Sequence, residues 1–355
     1  MNSFARGLIS WYETNQRDLP WRKTKSPYRI WLSEIILQQT RIDQGMSYYH
    51  KFIEAYPNLR NLAQAEEQDV LKLWQGLGYY SRARNLLKTA RLLQEESNFP
   101  QTAFELQKLP GVGPYTSAAI ASFAFGEASP VLDGNVFRFI SRYRGILKDP
   151  NDPKGKKEIM EFLHEAMPKR AAASFNQALM EFGSLQCKPL NPDCSSCPFS
   201  NDCFAFQTDR IEEFPAKKKK VKRGKRFFNY LVYQTDELIS VQKRSSKDIW
   251  AELYQFPLVE SDHLLSFEEL EVELLKHSKQ AKIVSTHKRK KHLLSHLDIH
   301  SQMVQIAVLE TFSMEGVEWV ETSKIDAFPW PRIIDKFLEE EDLLVVKNSS
   351  FVRKH

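Results

Sequence analysis

The chain has 355 residues, 42% of them hydrophobic and 27% charged, with a net charge of +5 and a pI near 8.8. That is length enough for two domains with cores of their own, and the mild basic excess permits an anionic partner without demanding one. No apolar run approaches a membrane span, and the opening MNSFARGLISWYE reads as an amphipathic helix and not as a signal peptide. The expected setting is the cytoplasm, where the four cysteines are not expected to pair as disulfides.

Residues 3–14 place Phe4, Leu8, Ile9, Trp11 and Tyr12 at helical spacing. A loop at 17–25 carries Leu19, Pro20, Trp21 and Arg22, and Ser26-Pro27 then opens a second helix. In that helix Ile30, Trp31, Ile35 and Leu37 form the apolar face, and Glu34 falls on it, four after Ile30 and three after Trp31. A carboxyl among apolar neighbours has its charged form disfavoured, which is what a general acid near neutral pH requires. The same position also suits a boundary glutamate turned to solvent or paired with an arginine. Gln38, Gln39, Thr40 and Arg41 follow at the helix end. Helices are expected at 48–56, 59–65, 68–75 and 81–96, with Gly76-Leu77-Gly78-Tyr79-Tyr80 as a glycine-flexed turn between the last two. Its tyrosines fit either core filling or insertion into a base stack.

The stretch 105–145 organises this half of the chain. Leu109, Pro110, Gly111, Val112, Gly113 and Pro114 run into a small-residue helix at 115–125. Two glycines permit a turn with bare backbone, and backbone N–H groups at the following helix start make a seat for a phosphate. Asp133, in Leu132-Asp133-Gly134-Asn135-Val136, stands just before the next apolar-periodic run, the place of a helix N-cap. Helices at 156–167 and 171–182 complete an almost wholly helical region.

Cys187, Cys194, Cys197 and Cys203 then fall within 17 residues and are all the cysteines in the chain. Four thiolates hold one zinc or one iron–sulfur cluster; zinc ribbons favour two CxxC knuckles and this loop has one, so a [4Fe–4S] cluster is expected. A linker at 207–226 ends in a run from Lys217 to Arg226 in which eight of ten residues are basic, a solvated tether or a phosphate-neutralising segment. From Phe227 the texture turns to strands, expected at 227–234, 238–243, 253–259, 282–286, 293–300, 302–312 and 317–320, with helices at 267–277 and 331–341. A second basic cluster spans 286–292, and Ser295-His296 is read as a polar pair within an apolar strand.

Together these residues resemble the adenine DNA glycosylases of the MutY type, among the helix-hairpin-helix glycosylases with an iron–sulfur cluster. The resemblance covers nearly the whole chain. It rests on the order and spacing of LPWR at 19–22, WLSEIILQQT at 31–40, GLGYY at 76–80, LPGVG at 109–113, LDGNV at 132–136, FNQALME at 175–181 and the four-cysteine loop. It implies a multidomain fold: an all-α helix-hairpin-helix glycosylase domain at 1–206, with the hairpin near 105–125 and the [4Fe–4S] loop at 187–203. A basic linker at 207–226, an α+β Nudix-like domain at 227–346 and a tail at 347–355 would follow.

The resemblance implies hydrolysis of the N-glycosidic bond of adenine opposite 8-oxoguanine or guanine in double-stranded DNA, by a base-excision-repair enzyme. Gly111, Val112 and Gly113 would grip a phosphate, with a monovalent cation at the hairpin. Glu34 would protonate the adenine ring of a nucleotide flipped from the duplex, and Asp133, kept ionised by the helix N-terminus, would stabilise the oxocarbenium-like sugar or bond to it briefly. Asn135 would support the sugar side. Arg22, Glu181 and Tyr115 would line the adenine pocket, while Gln39, Thr40 and Tyr79 would wedge the duplex and hold the opposite base. Tyr115 stands where bifunctional relatives of the endonuclease III type carry a Schiff-base lysine, which implies little or no lyase activity. Ser295 and His296 match the family's Phe-Ser-His recognition loop, with Leu294 in place of the phenylalanine. Residues 244–275 lack the arginine–glutamate array of a magnesium-dependent Nudix hydrolase, which implies a reader and not a second hydrolase. The cluster is expected to be structural. A monomer is expected, no membrane partner is implied, and protein partners are not readable. The alternatives are a thymine glycosylase for G·T mismatches and a damage-binding protein without catalysis.

Overall fold

The computed structural model describes residues 1–95, 99–217, 223–277, 280–287 and 289–340. The helices run in order α1 (Ser3–Asn15), α2 (Pro27–Leu37), α3 (Ile42–Ala55), α4 (Leu59–Ala63), α5 (Glu67–Trp74), α6 (Ser81–Glu95), α7 (Ala103–Leu106), α8 (Pro114–Phe125), α9 (Gly134–Arg144), α10 (Pro153–Ala166), α11 (Ala172–Leu185) and α12 (Phe204–Gln207). The expected helix at 48–56 is in fact the second half of α3, and the other expected helices stand within a few residues of their predicted bounds. Glu96 lies outside the described residues.

Contacts divide the chain into two compact units, Met1–Ala65 with Asn85–Lys220, and Glu66–Arg84 with Val221–His355. The segment 66–84, read from sequence as part of the helical domain, thus groups with the carboxy-terminal unit.

In the first unit α8 is the innermost helix, buried continuously from Thr116 to Phe123. Its alanines and serines let α2 and α11 pack closely against it. Ser26 and Asp133 cap α2 and α9 through hydrogen bonds to Arg29 N and Val136 N. An aromatic cluster of Phe4, Phe139, Phe182 and Phe199 joins α1, α9 and α11 to the cysteine loop, with Phe139 and Phe182 ring centroids 4.4 Å apart.

The second unit is built on one sheet. Its strands are β1 (Gly224–Gln234), β2 (Leu238–Lys243), β3 (Tyr254–Gln255), β4 (Leu258–Ser261), β5 (Lys282–Thr286), β6 (Lys290–Leu293), β7 (Leu297–Ala307) and β8 (Val317–Glu321). The main path runs β3-β2-β1-β7-β5; β1 and β7 are parallel from Gly224–Leu297 to Gln234–Ala307, and β4 pairs antiparallel with β1. Helix α13 (Phe267–Leu275) covers one face and α14 (Arg332–Glu340) the other. Along β1, Phe228, Tyr230 and Val232 face Trp330, Ile334 and Phe337, while Leu231 and Tyr233 face Leu270 and Leu274. Burial on both faces explains why β1 reads as a near-continuous apolar run.

Three expectations change. The strand at 253–259 is two strands, broken at Pro257. The strands expected at 293–300 and 302–312 are instead one strand, β7, which runs unbroken through 301 and ends at Ala307; β6 precedes it in a hairpin, in which Leu294 N donates to Leu297 O at 2.8 Å and puts Ser295 and His296 at the turn. They are therefore exposed turn residues and not part of a strand. The linker ends sooner, since β1 begins at Gly224. Arg226 is also taken out of the basic run by ion pairs to Asp248 and Glu260, each 2.6 Å. In the second basic cluster Lys290 pairs with Glu340 and Lys291 with Asp298. Residues 218–222 of the basic run, Lys288, Glu341 and the expected tail at 347–355 lie outside the described residues.

Candidate active site

A cavity of about 440 Å³ opens in the first unit among α2, α8, α9 and α11. Glu34, Tyr115, Asp133, Asn135, Arg22, Glu181 and Thr40 all line it. Residues far apart in sequence meet here because α8 is small enough to let its neighbours converge.

Glu34 is 6% exposed. Burial raises its pKa from the ordinary value to about 7; a hydrogen bond from Tyr115 opposes the shift, and the Asp133 charge adds to it. The Tyr115 hydroxyl also reaches Met180 Sδ at 3.1 Å. Its one proton goes to the carboxylate when Glu34 is charged, the thioether being the weaker acceptor. Tyr115 itself is raised well above its ordinary value by burial and by the two carboxylates.

Asp133 caps α9, its Oδ1 accepting from Val136 N at 2.7 Å and its Oδ2 from Asn135 Nδ2 at 2.9 Å. The helix start was expected to favour its charge, and those bonds do; burial nevertheless outweighs them, and the net direction is upward. Asn135 Oδ1 accepts from Arg138 at 3.1 Å, and Arg138 also donates to Gly183 O and Cys187 O, tying the sugar-side pair to the cysteine loop.

The opposite wall holds a cation pair. Arg22 and Arg17 both reach Glu181 Oε2 at 2.7 Å. Burial would raise Glu181, but hydrogen bonds from Arg17 and Arg22 prevail and hold it at about 2. Sequence reasoning missed Arg17 as a site residue; only its place five residues before Arg22 in one loop hinted at it.

Deeper in the core, Asn176 is fully buried and clamps the segment leading to Asp133. Its Oδ1 accepts from Val131 N at 3.1 Å, and its Nδ2 donates to Ser122 Oγ at 2.9 Å and Ser129 O at 2.8 Å.

The hairpin lies between α7 and α8. Gly111 has φ +77°, and a Cβ there would come within 2.8 Å of Asn85 Cβ. Gly113 leads into α8 with no side-chain cap, so first-turn N–H groups stay available. Val112 is buried, while Gln38 Nε2 donates to Gly111 O at 3.3 Å and Thr116 Oγ1 at 3.0 Å, joining the end of α2 to the hairpin. Gln39 is exposed with φ +55°.

The four cysteines line one small cavity with Phe139, Arg142, Phe182 and Phe199. Arg142 Nη1 donates to Cys187 Sγ at 3.5 Å, and backbone N–H groups of Phe199 and Phe206 point to Cys197 and Cys203. Burial pushes the Cys197 thiol to about 11. Among the described residues no group of three or more such side chains is gathered for a single metal ion. Four sulfurs around a shared space, with N–H donors aimed at them, are a donor set of the kind that holds a thiolate-bound metal centre.

In the second unit the two tyrosines separate. Tyr80 is 5% exposed and Tyr79 is 49% exposed. Tyr79 hydroxyl and Ser295 Oγ are 2.8 Å apart, and His296 is exposed beside Ser295.

Residues 32–169 match the family model of the HhH-GPD superfamily base excision DNA repair protein, and 229–340 match that of the NUDIX domain. The adenine DNA glycosylase of Buchnera aphidicola subsp. Schizaphis graminum is 33% identical over 350 residues, which is 95% of this chain and 98% of that one. The chain belongs to the adenine DNA glycosylase family.

A thermostable thymine-DNA glycosylase structure shares 30% identity with this glycosylase at a TM-score of 0.53, over 58% of this chain and 95% of that one. An endonuclease III–DNA complex, 22% identical at a TM-score of 0.50 over 58% of this chain and 94% of that one, has the same helical fold. Neither leaves enough unmatched chain to supply a counterpart of the glycosylase's Nudix-like unit. No helix among the described residues is long and apolar enough to cross a membrane.

Proposed function

We propose that the enzyme binds double-stranded DNA and excises adenine paired with 8-oxoguanine or guanine, with little or no lyase activity. The observation that carries this reading is Glu34: a buried carboxyl on the cavity with a pKa of about 7, sharing that cavity with Asp133. Such a group is still partly protonated at neutral pH and can deliver its proton to the adenine ring as the base departs. Tyr115 orients it. Asp133, with two hydrogen bonds directed at its oxygens, stabilises positive charge on the sugar from the other side, and Asn135 and Arg138 hold it there. Arg22 and Glu181, joined by Arg17, give the purine a rigid polar wall. With Tyr115 in place of a lysine, no side-chain amine is supplied for a Schiff base at that position.

In this reading Gly111 to Gly113 and the uncapped start of α8 seat a phosphate, with a monovalent cation at the hairpin. Gln39 and Thr40 enter the duplex from the end of α2. Cys187, Cys194, Cys197 and Cys203 would hold a [4Fe–4S] cluster, which when bound supplies a four-point cross-link of the loop and no step of the reaction. Residues 1–206 form the glycosylase domain and 227–346 the reader; Ser295 and His296 of the reader, together with Tyr79 of the 66–84 segment that groups with it, meet the base opposite the adenine.

The test uses purified protein with A opposite 8-oxoguanine, A opposite G, and T opposite G, each with and without alkali. Adenine release, fastest opposite 8-oxoguanine and with breaks only after alkali, is expected. Thymine release would move the enzyme to the mismatch-thymine glycosylases, and binding without release would make it a non-catalytic reader.

A further inference from the structure

The turn 76–80 is held in an unusual shape. Gly76 and Gly78 have φ of 95° and 71°, and Tyr79, which carries a side chain, has φ 48°. A residue with a Cβ stays in that region only when its surroundings impose it. Here they do. Trp74 Nε1 donates to Gly78 O at 3.0 Å and Arg82 Nη2 to the same oxygen at 3.2 Å. The Arg82 guanidinium lies over both rings, 5.0 Å from Trp74 and 5.7 Å from Tyr79.

The turn is also fastened from outside. Tyr80 hydroxyl donates to Trp330 O at 3.0 Å, Gln75 Nε2 donates to Asp335, and Arg84 Nη1 donates to Ala251 O at 2.5 Å. The Ser295–His296 turn is fixed as well, by Leu294 N to Leu297 O at 2.8 Å and by Gly224 N to His296 O at 3.0 Å. The two turns meet at the 2.8 Å hydroxyl contact between Tyr79 and Ser295. That contact uses one of the three hydrogen-bonding positions of the serine hydroxyl and leaves the rest for a base edge.

We infer that Tyr79, Ser295 and His296 form one reading head assembled before DNA arrives, and that Tyr80 is a positioning residue for it through Trp330. The inference rests on the proposed role of these residues at the opposite base and adds that they act as a unit. Two loose loops could rearrange to suit either partner base, which would level the difference between them. A pre-ordered head leaves small chemical differences between 8-oxoguanine and guanine to be expressed in full. Loosening the head should therefore erode the preference more than it slows excision.

The experiment measures single-turnover adenine release opposite 8-oxoguanine and opposite guanine in the full-length wild type, Tyr80→Phe, Tyr79→Phe, Ser295→Ala and the Tyr79→Phe/Ser295→Ala double variant. The 8-oxoguanine-to-guanine rate ratio is expected to fall several-fold in Tyr80→Phe, whose residue touches no DNA in this reading. The double variant is expected to lose no more preference than the worse single one, since either change already breaks the unit. A double-variant loss equal to the product of the single losses would overturn the inference, because the residues would then act separately. A Tyr80→Phe variant in which both rates fall alike would overturn the positioning role and leave Tyr80 as packing. If Tyr79→Phe and Ser295→Ala both keep the wild-type ratio, the assignment of these residues to the opposite base is itself wrong.

Discussion

Replacing Glu34 by glutamine isolates the contribution of a raised carboxyl. With a pKa of about 7 in the folded enzyme, roughly a quarter of Glu34 is protonated near pH 7.5, against about 0.1% for a carboxyl at its ordinary value. Burial thus raises the population of the working acid by roughly 200-fold, or about 3 kcal/mol. Because kcat/KM reports groups of the free enzyme, its pH profile should be level below about 7 on this limb and fall about tenfold per pH unit above. Glu34→Gln should bind mismatched DNA and release almost no adenine. Stability supplies a second reading of the same group. The folded-state pKa lies above the ordinary one, so the contribution of protonated Glu34 is intact below about pH 4.5 and lost as pH rises toward 7. The glutamine variant should accordingly match wild type in acid and gain on it between those limits, by up to about 3 kcal/mol, followed by chemical denaturation at several pH values. A profile level through pH 8, or substantial turnover by the glutamine variant, would refute the acid role.

Three further outcomes are expected. Gly111→Ala forces a side chain into φ +77° and against Asn85, so DNA affinity measured by fluorescence anisotropy should fall about tenfold, from roughly 1–2 kcal/mol of strain at the phosphate seat; unchanged affinity would remove the hairpin from DNA binding. Asn176→Ala leaves Val131 N–H, Ser129 O and Ser122 Oγ without their shared partner, so it should destabilise the fold by about 3 kcal/mol or more in denaturant titration and slow excision at saturating DNA; normal stability and rate would show that the clamp is dispensable. Purified wild-type protein should contain about four irons and four sulfides per chain, lost in Cys197→Ala; zinc at one per chain would replace the cluster.

Local chemistry was legible in the sequence. Helical periodicity, the Ser26-Pro27 start, the glycine pair at 111 and 113, and the acid before α9 each follow from short-range rules, because caps and turns are made by neighbours in the chain. The apolar face that carries Glu34 was also readable, but it left open whether the carboxyl turns to solvent, and only the packing around α2 buried it. The sum of opposing effects was not readable. Whether Asp133 moves up or down depends on how much protein stands around it compared with the bonds from Val136 and Asn135, and only the packed cavity decides that. Arg17 became a site residue because α11 brings Glu181 to it across 164 positions. Ser295 and His296 looked like strand residues because alternation does not mark where two antiparallel strands turn; the pairing of β6 with β7 does. The fate of the tyrosine pair was likewise tertiary: adjacent residues of one type were told apart only when Trp330 took the hydroxyl of Tyr80 and left the ring of Tyr79 in solvent.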